Sequence, residues 1–194
     1  NVPGFMGSKN NPNPINDVFC LQLRRRGYKI HQQVYDATEH DGYTTRKRMY
    51  LVATTLDAEL DMPVAKQDPA QHVWQDIILP HWDEIISANK ADITDLKVTQ
   101  DAIRTGWARV ISENKQFSPT LMKAQGQDTK DAVMIERDGR YYRVPVNVQA
   151  KLNSLPNSFD TEWMPKDKAA QIIGQSICCK LHHAIMDSVK KHIL

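Results

Sequence analysis

Apolar residues along this chain change their spacing several times, and each change predicts an element. Over residues 14–26, Ile15, Val18, Phe19 and Leu23 recur near helical spacing, which predicts an amphipathic helix with these four on its buried stripe. Pro14 suits its first turn. Arg24, Arg25 and Arg26 fall in its last turn, where cations meet the negative end of the helix dipole, and Gly27 can end it in the left-handed conformation. Residues 28–35 alternate instead, with Tyr28, Ile30, Gln32 and Val34 on one side, which predicts a strand. After a polar loop over 36–45, residues 48–54 form a second strand. Its centre, Met49 to Ala53, is apolar on both faces, as in a strand covered on both sides.

The pattern then becomes more broken. Residues 72–80 read as a short helix ending at Leu79-Pro80, and residues 83–88 and 100–112 read as helices. Trp74, Trp82 and Trp107 fall in this stretch and read as core-filling side chains. Apolar runs on both sides of Asp138-Gly139 predict a β-hairpin over 132–143, because Asp-Gly supplies the positive-φ turn. From Ile177, apolar residues at Leu181, Ile185 and Val189 predict an amphipathic helix to the C-terminus, with Lys190, Lys191 and His192 in its last turn. Residues 1–12, rich in Gly, Asn and Pro, read as a loop.

Composition narrows the class. At 194 residues, with 25% charged and 41% hydrophobic residues, the chain can bury one core with a small appendage. A net charge of +2 permits a nucleic-acid partner without requiring one. Three cysteines, Cys20, Cys178 and Cys179, have no paired spacing and read as reduced packing thiols. His182 and His183 are adjacent and diverge on a helix, so no metal site is expected. No apolar run reaches the length of a membrane span, no signal peptide is evident, and a first residue of Asn reads as a fragment or an internal start.

The densest chemistry lies at Arg46-Lys47-Arg48. Side chains at i and i+2 share one side of a strand, so Arg46 and Arg48 form a fork of planar donors suited to carboxylate, phosphate or a base edge. The plain alternative for such a fork is a solvated strand edge.

The order of the segments resembles the second half of the catalytic domain of DNA (cytosine-5) methyltransferases. The resemblance is carried by Asn1-Val2-Pro3, by Arg46-Lys47-Arg48 ahead of a strand, by Pro119-Thr120-Leu121, by Leu155-Pro156-Asn157-Ser158-Phe159, and by Ile173-Gly174-Gln175-Ser176-Ile177 before the last helix. It covers nearly the whole chain. The sequence departs from the family at Thr44, where the family has Gln, and at Pro145, Asn147, Val148 and Gln175.

The resemblance implies an α/β fold, the end of a Rossmann-like S-adenosylmethionine-dependent domain. In that reading residues 1–55 end the catalytic domain, 56–142 form a variable target-recognition region, and 143–194 form a closing segment and last helix. It implies methyl transfer to cytosine C5 in duplex DNA, with base flipping. Arg46 and Arg48 take catalytic roles, Arg48 at the base oxygen. Gln175, Ser176 and Ile177 edge the S-adenosylmethionine pocket, and Asn1 and Val2 belong to the base-pocket turn. Arg46, Arg143 and Lys151 contact DNA. The Pro-Cys nucleophile and the Gly-rich cofactor loop are absent, so the partner is a missing N-terminal catalytic half, covalent or separate, and the isolated chain is expected to be inactive. The location implied is the cytoplasm or wherever the DNA lies. A competing reading is a non-catalytic DNA-binding subunit or degenerate homologue that assists a separate catalytic chain.

Overall fold

The Asn13 side chain accepts a hydrogen bond from the Ile15 amide at 3.1 Å and Pro14 fills the first turn, so the first helix, α1 (Pro14–Arg25), starts where its orphan amides find a cap. This computed structural model describes residues 7, 13–57 and 59–194. Gly27, at φ +85°, turns the chain into β1 (Lys29–Asp36). A 3-10 turn, Ala37–His40, follows, capped by Asp36, which accepts from both the amide and the hydroxyl of Thr38. β2 (Lys47–Thr54) then returns antiparallel along the whole of β1, from Lys29 opposite Thr54 to Asp36 opposite Lys47.

The middle of the chain is a continuous helical run of changing pitch. A π-helical turn, Trp74–Ile78, leads into a 3-10 turn, Leu79–His81, and then into α2 (Trp82–Ser87). Pro80 lacks an amide proton, which is why regular i to i−4 bonding breaks there. The helix expected over 100–112 is shorter and lies earlier. It is α3 (Lys97–Arg104), and Gly106, at φ +73°, ends it and leads into a strand, β3 (Arg109–Ile111). Ladder bonds to β4 (Val133–Arg137), which runs parallel to β3, override the helical spacing that the sequence suggests. β5 (Arg140–Arg143) is antiparallel to β4 across Asp138 and Gly139, at φ 52° and 75°, the hairpin turn expected of Asp-Gly. The chain closes with α4 (Val146–Leu152), α5 (Lys166–Gln175) and α6 (Cys179–Ile193).

Two apolar clusters organise these elements. The larger joins Trp74, Ile77, Ile78 and Ile85 of the helical run to Ile111, Val133 and Ile135 of the sheet, and to Val148, Leu152 and Ile173 of α4 and α5. Val144, Val148, Leu152 and Ile173 of the closing segment therefore share a core with the middle region. The smaller cluster joins Tyr35 and Ala37 to Cys178, Leu181 and Ile185. Of the closing helices, α6 packs on the β1–β2 hairpin. The His182 ring stacks on Tyr50 at 6.1 Å, and His192 Nε2 lies 3.3 Å from Thr54 Oγ1. The hairpin is thus a middle layer between α6 and α1. No helix among the described residues is long and apolar enough to cross a membrane.

α1 faces the hairpin the opposite way from the expected stripe. Asn16 and Cys20 are buried, while Ile15 is 70% exposed and Val18 57%. The buried face is held by polar contacts. Gln32 Nε2 donates to Asn16 Oδ1 at 2.8 Å, and the Cys20 thiol lies 3.6 Å from Gln32 Oε1. Periodicity identifies two helix faces. Which of them meets the hairpin depends on Gln32, an inward-facing polar residue of β1, whose amide needs a partner once buried.

Two expectations follow from this packing. The α5 backbone passes so close to the 122–123 loop that a Cβ on Gly174 would overlap the Met122 carbonyl oxygen, and the neighbours are backbone and cannot swing away. Gly174→Ala should lower stability by roughly 1–3 kcal/mol, read as a shift in the urea midpoint at constant m-value. His40 is buried, its Nε2 has no hydrogen-bond partner, and its ring meets the Tyr35 ring edge-on at 5.6 Å. Burial pushes its pKa below the usual 6.5. The carboxylates of Glu39, Asp41 and Asp36 oppose that shift and Lys66 adds to it. The unfolded chain therefore binds a proton that the folded chain refuses, and stability should fall as pH drops below about 6.5. His40→Phe should flatten that slope in pH-resolved unfolding. An unchanged slope would place the titration elsewhere, for instance at His31, whose pKa burial also lowers.

Candidate active-site edge around Arg46

The strap from Tyr43 to Arg46 is held by backbone before any side chain acts. Ser118 N–H donates to Tyr43 O at 2.8 Å, Thr45 N–H donates to Ser118 O at 2.9 Å, and Thr44 bridges Ser118 in parallel. The Thr120 hydroxyl donates to Thr45 O. This zipper orients Arg46, one residue ahead of β2, towards the interior.

Arg46 is 1% exposed. Its Nη1 donates to Leu121 O at 3.0 Å, and its Nη2 donates to Gly174 O at 2.9 Å and to Ser176 O. Three carbonyls receive the guanidinium, and no carboxylate neutralises it among the described residues. Burial, and then the nearby Arg48 charge, push its pKa down to about 10, which leaves it cationic at neutral pH. Carbonyl dipoles from the 121 loop, the end of α5 and the approach to α6 replace the lost water.

Arg48 is placed differently. It pairs with Tyr35 across the hairpin, is half-buried, and donates from Nη1 to Lys47 O at 2.8 Å. Burial lowers its pKa as well. Tyr50 follows on the same face, its phenol pushed up to about 12, chiefly by burial. The expected fork is therefore divided. Arg46 turns into the protein and is not available to a DNA phosphate, while Arg48 keeps a solvent-accessible position beside it.

Ser176 meets Arg46 directly through its carbonyl. Gln175 is the last residue of α5 and is exposed, Ser176 caps that helix, and Ile177 is half-buried before α6 begins at Cys179. The 173–177 segment thus lies before the last helix, as expected, and its first three residues close α5. Its hydroxyl is already engaged: Ser176 Oγ donates to Ile173 O at 2.7 Å and accepts from Asn153 Nδ2 at 3.2 Å. The Gln175 amide, at the end of the same helix, is exposed.

The remaining candidates are dispersed. Both terminal nitrogens of Arg143 go to the Asp128 carboxylate, and its Nε donates to Lys90 O at 2.9 Å, so its fork binds the protein itself. Lys151 is half-buried in the last turn of α4. Asn1 and Val2 lie outside the described residues. Cys20 and Cys178 are buried, and burial raises the Cys179 pKa. Among the described residues no group of three or more His, Cys, Asp or Glu side chains could hold a metal ion. Asn153 was not singled out from the sequence. It is fully buried, donates to Ile173 O at 2.7 Å, and its backbone carbonyl accepts from Cys179 N–H. Its neighbours Gln149, Lys151 and Ser154 are polar too, so the residue pattern did not mark it out.

The profile of the C-5 cytosine-specific DNA methylase family matches residues 1–191. No curated protein matches. Among solved structures, the Entamoeba histolytica methyltransferase EhMeth matches with a TM-score of 0.73 at 12% identity, over 100% of this chain and 62% of that one. The S. pombe Dnmt2 methyltransferase matches with a TM-score of 0.70 at 14% identity, over 97% of this chain and 62% of that one. A Spodoptera frugiperda DNMT2 mutant matches at 0.65 and 13% identity, over 100% of this chain and 65% of that one. At such identities the likeness shows the fold, a methyltransferase α/β fold. The chain spans slightly less than two thirds of the length of these structures.

Arg46→Met should remove all three carbonyl contacts and cost roughly 3 kcal/mol or more, since each buried carbonyl left without a donor costs about 1–3 kcal/mol. Arg46→Lys should recover little, because an ammonium cannot span three carbonyls as a planar fork does. Arg48→Met, half-exposed, should cost about 1 kcal/mol or less. Urea unfolding of the three variants checks the order, and equal losses at the two positions would refute the division of the pair.

Proposed function

The chain belongs to the C-5 cytosine-specific DNA methylase family, and on that premise we propose that it forms part of an enzyme that methylates cytosine C5 in duplex DNA. The target base is flipped out of the stack, since C6 and C5 must be reached from above and below the ring. The observation that carries this reading is the Arg46 cradle, which binds the Arg-x-Arg strap to the Gly174–Ser176 segment on one edge of the fold.

In this reading Arg48 is the catalytic arginine, donating to the base oxygen as negative charge builds during thiolate addition at C6. Arg46 is a positioning residue that acts through the strap. S-adenosylmethionine supplies the methyl group when bound. The exposed Gln175 amide and the half-buried Ile177 fit one edge of a site for it, and the Ser176 hydroxyl, bonded to its own helix end, fits only as a wall. The nucleophilic thiolate comes from an N-terminal catalytic half, covalent or separate, because the three thiols of this chain are buried or raised in pKa. Arg143 acts at the DNA side by bracing the Asp128 loop, and Lys151 offers a cation to DNA. A second reading, a DNA-binding subunit without catalysis, is favoured by Thr44. It is fully buried where the family carries Gln, so that position offers nothing to a flipped base.

Arg48→Ala separates the two readings in the assembled enzyme. Losing one donor to developing charge should slow single-turnover methylation roughly 100- to 1,000-fold. Duplex affinity, which rests on many phosphate contacts, should fall by only about 1–3 kcal/mol. Equal losses in rate and binding would make Arg48 a DNA-positioning residue and support the non-catalytic reading.

A further inference from the structure

Trp107 is 63% exposed, against the expectation that it fills the core. Its position is fixed all the same. Gly106, at φ +73°, reverses the chain at the end of α3, and the amides of Trp107 and Ala108 both donate to Ala102 O, at 2.9 and 3.1 Å. The indole thus stands on a rigid base beside the last turn of α3. Lys97, Arg104 and Lys130 line the same shallow cleft of about 620 Å³, and Lys130 Nζ sits 5.1 Å from the indole centroid. Asp101 is the one carboxylate lining it, 3.1 Å from Arg104 in an exposed pair that costs little to open. Lys130 meets the ring, and three cations against one carboxylate line the cleft beside it.

We propose that Trp107 with Lys97, Arg104 and Lys130 forms a DNA-contact surface, the indole stacking on an unstacked base and the cations meeting the flanking phosphates. This rests on the reading of the chain as part of a DNA methyltransferase. The chemistry on the page selects the occupant: a planar π-face matches a base, and a cationic rim matches the phosphate backbone. Arg46 and Arg143 are consumed by contacts within the protein, so this patch supplies cations that those residues do not.

The test uses the full chain and a labelled duplex at fixed salt. Trp107→Ala should weaken binding roughly 5- to 100-fold, and Trp107→Phe should retain most of it. Lys130→Ala should reduce the salt slope by about one. Trp163→Ala, the other exposed tryptophan, should leave binding within about twofold of the wild type, as expected of a substitution outside the contact. In a Trp163→Phe background, duplex should quench tryptophan fluorescence, and the further change Trp107→Phe, which leaves Trp74 and Trp82, should abolish the quench. Thermal midpoints of all variants control for folding. If the wild-type chain binds no duplex at any salt, the patch is overturned, and the methylation reading is decided separately by the Arg48→Ala rates of the assembled enzyme. If the wild type binds but Trp107→Ala behaves like Trp163→Ala and no quench appears, the patch alone is overturned. Tighter binding to a hairpin RNA than to the duplex overturns the choice of DNA.

Discussion

One buried cation holds the two halves of this structure together. Arg46 has lost nearly all its water, and no carboxylate among the described residues compensates it. Its charge is solvated by three carbonyls drawn from points far apart in sequence, Leu121, Gly174 and Ser176. Desolvating a guanidinium is tolerable only where such dipoles are already aimed at it. Each carbonyl in turn needs a donor once buried. The 121 loop, the end of α5 and the strap before β2 are therefore fixed relative to one another.

Other details of the fold follow from that constraint. α5 must end at Gln175 so that the Gly174 and Ser176 carbonyls face Arg46 and not a fourth residue of the same helix. Gly174 carries no side chain because its backbone lies against the Met122 carbonyl. The turn at Ser176 sends the chain across to Cys179, where Asn153 receives the first amide of α6, and α6 then covers the hairpin through Tyr35, Tyr50 and Ile185. The small cluster on the hairpin and the large cluster under α4 and α5 meet at this junction. A functional edge built there is rigid, as a site that must orient donors within a fraction of an ångström requires.

Such rigidity gives the neighbouring arginines distinct duties. Two like charges two residues apart on one strand cannot both be buried, and the repulsion appears as part of the depressed pKa of Arg46. Burying one and leaving the other half-exposed resolves it. The inner arginine sets the backbone, and the outer one keeps a solvent-accessible position.

Much of this chain was legible from residue pattern. α1, β1, β2, the Asp138-Gly139 hairpin and α6 lie within a residue or two of where spacing and turn chemistry place them, because each is determined by local periodicity and by single residues with strong backbone preferences. The Arg-x-Arg and Ile-Gly-Gln-Ser-Ile segments also identified the edge that carries the candidate site. Tertiary structure decided the rest. Spacing gave α1 two faces, but the half-buried amide of Gln32 chose the polar one. Helical spacing over 100–112 yielded to a ladder with β4 that no local window contains. Most of all, the partners of Arg46 are backbone carbonyls up to 130 residues away. Every residue has a carbonyl, so no side-chain pattern marks the three that face a guanidinium. Only the folded path of the backbone brings them to one point.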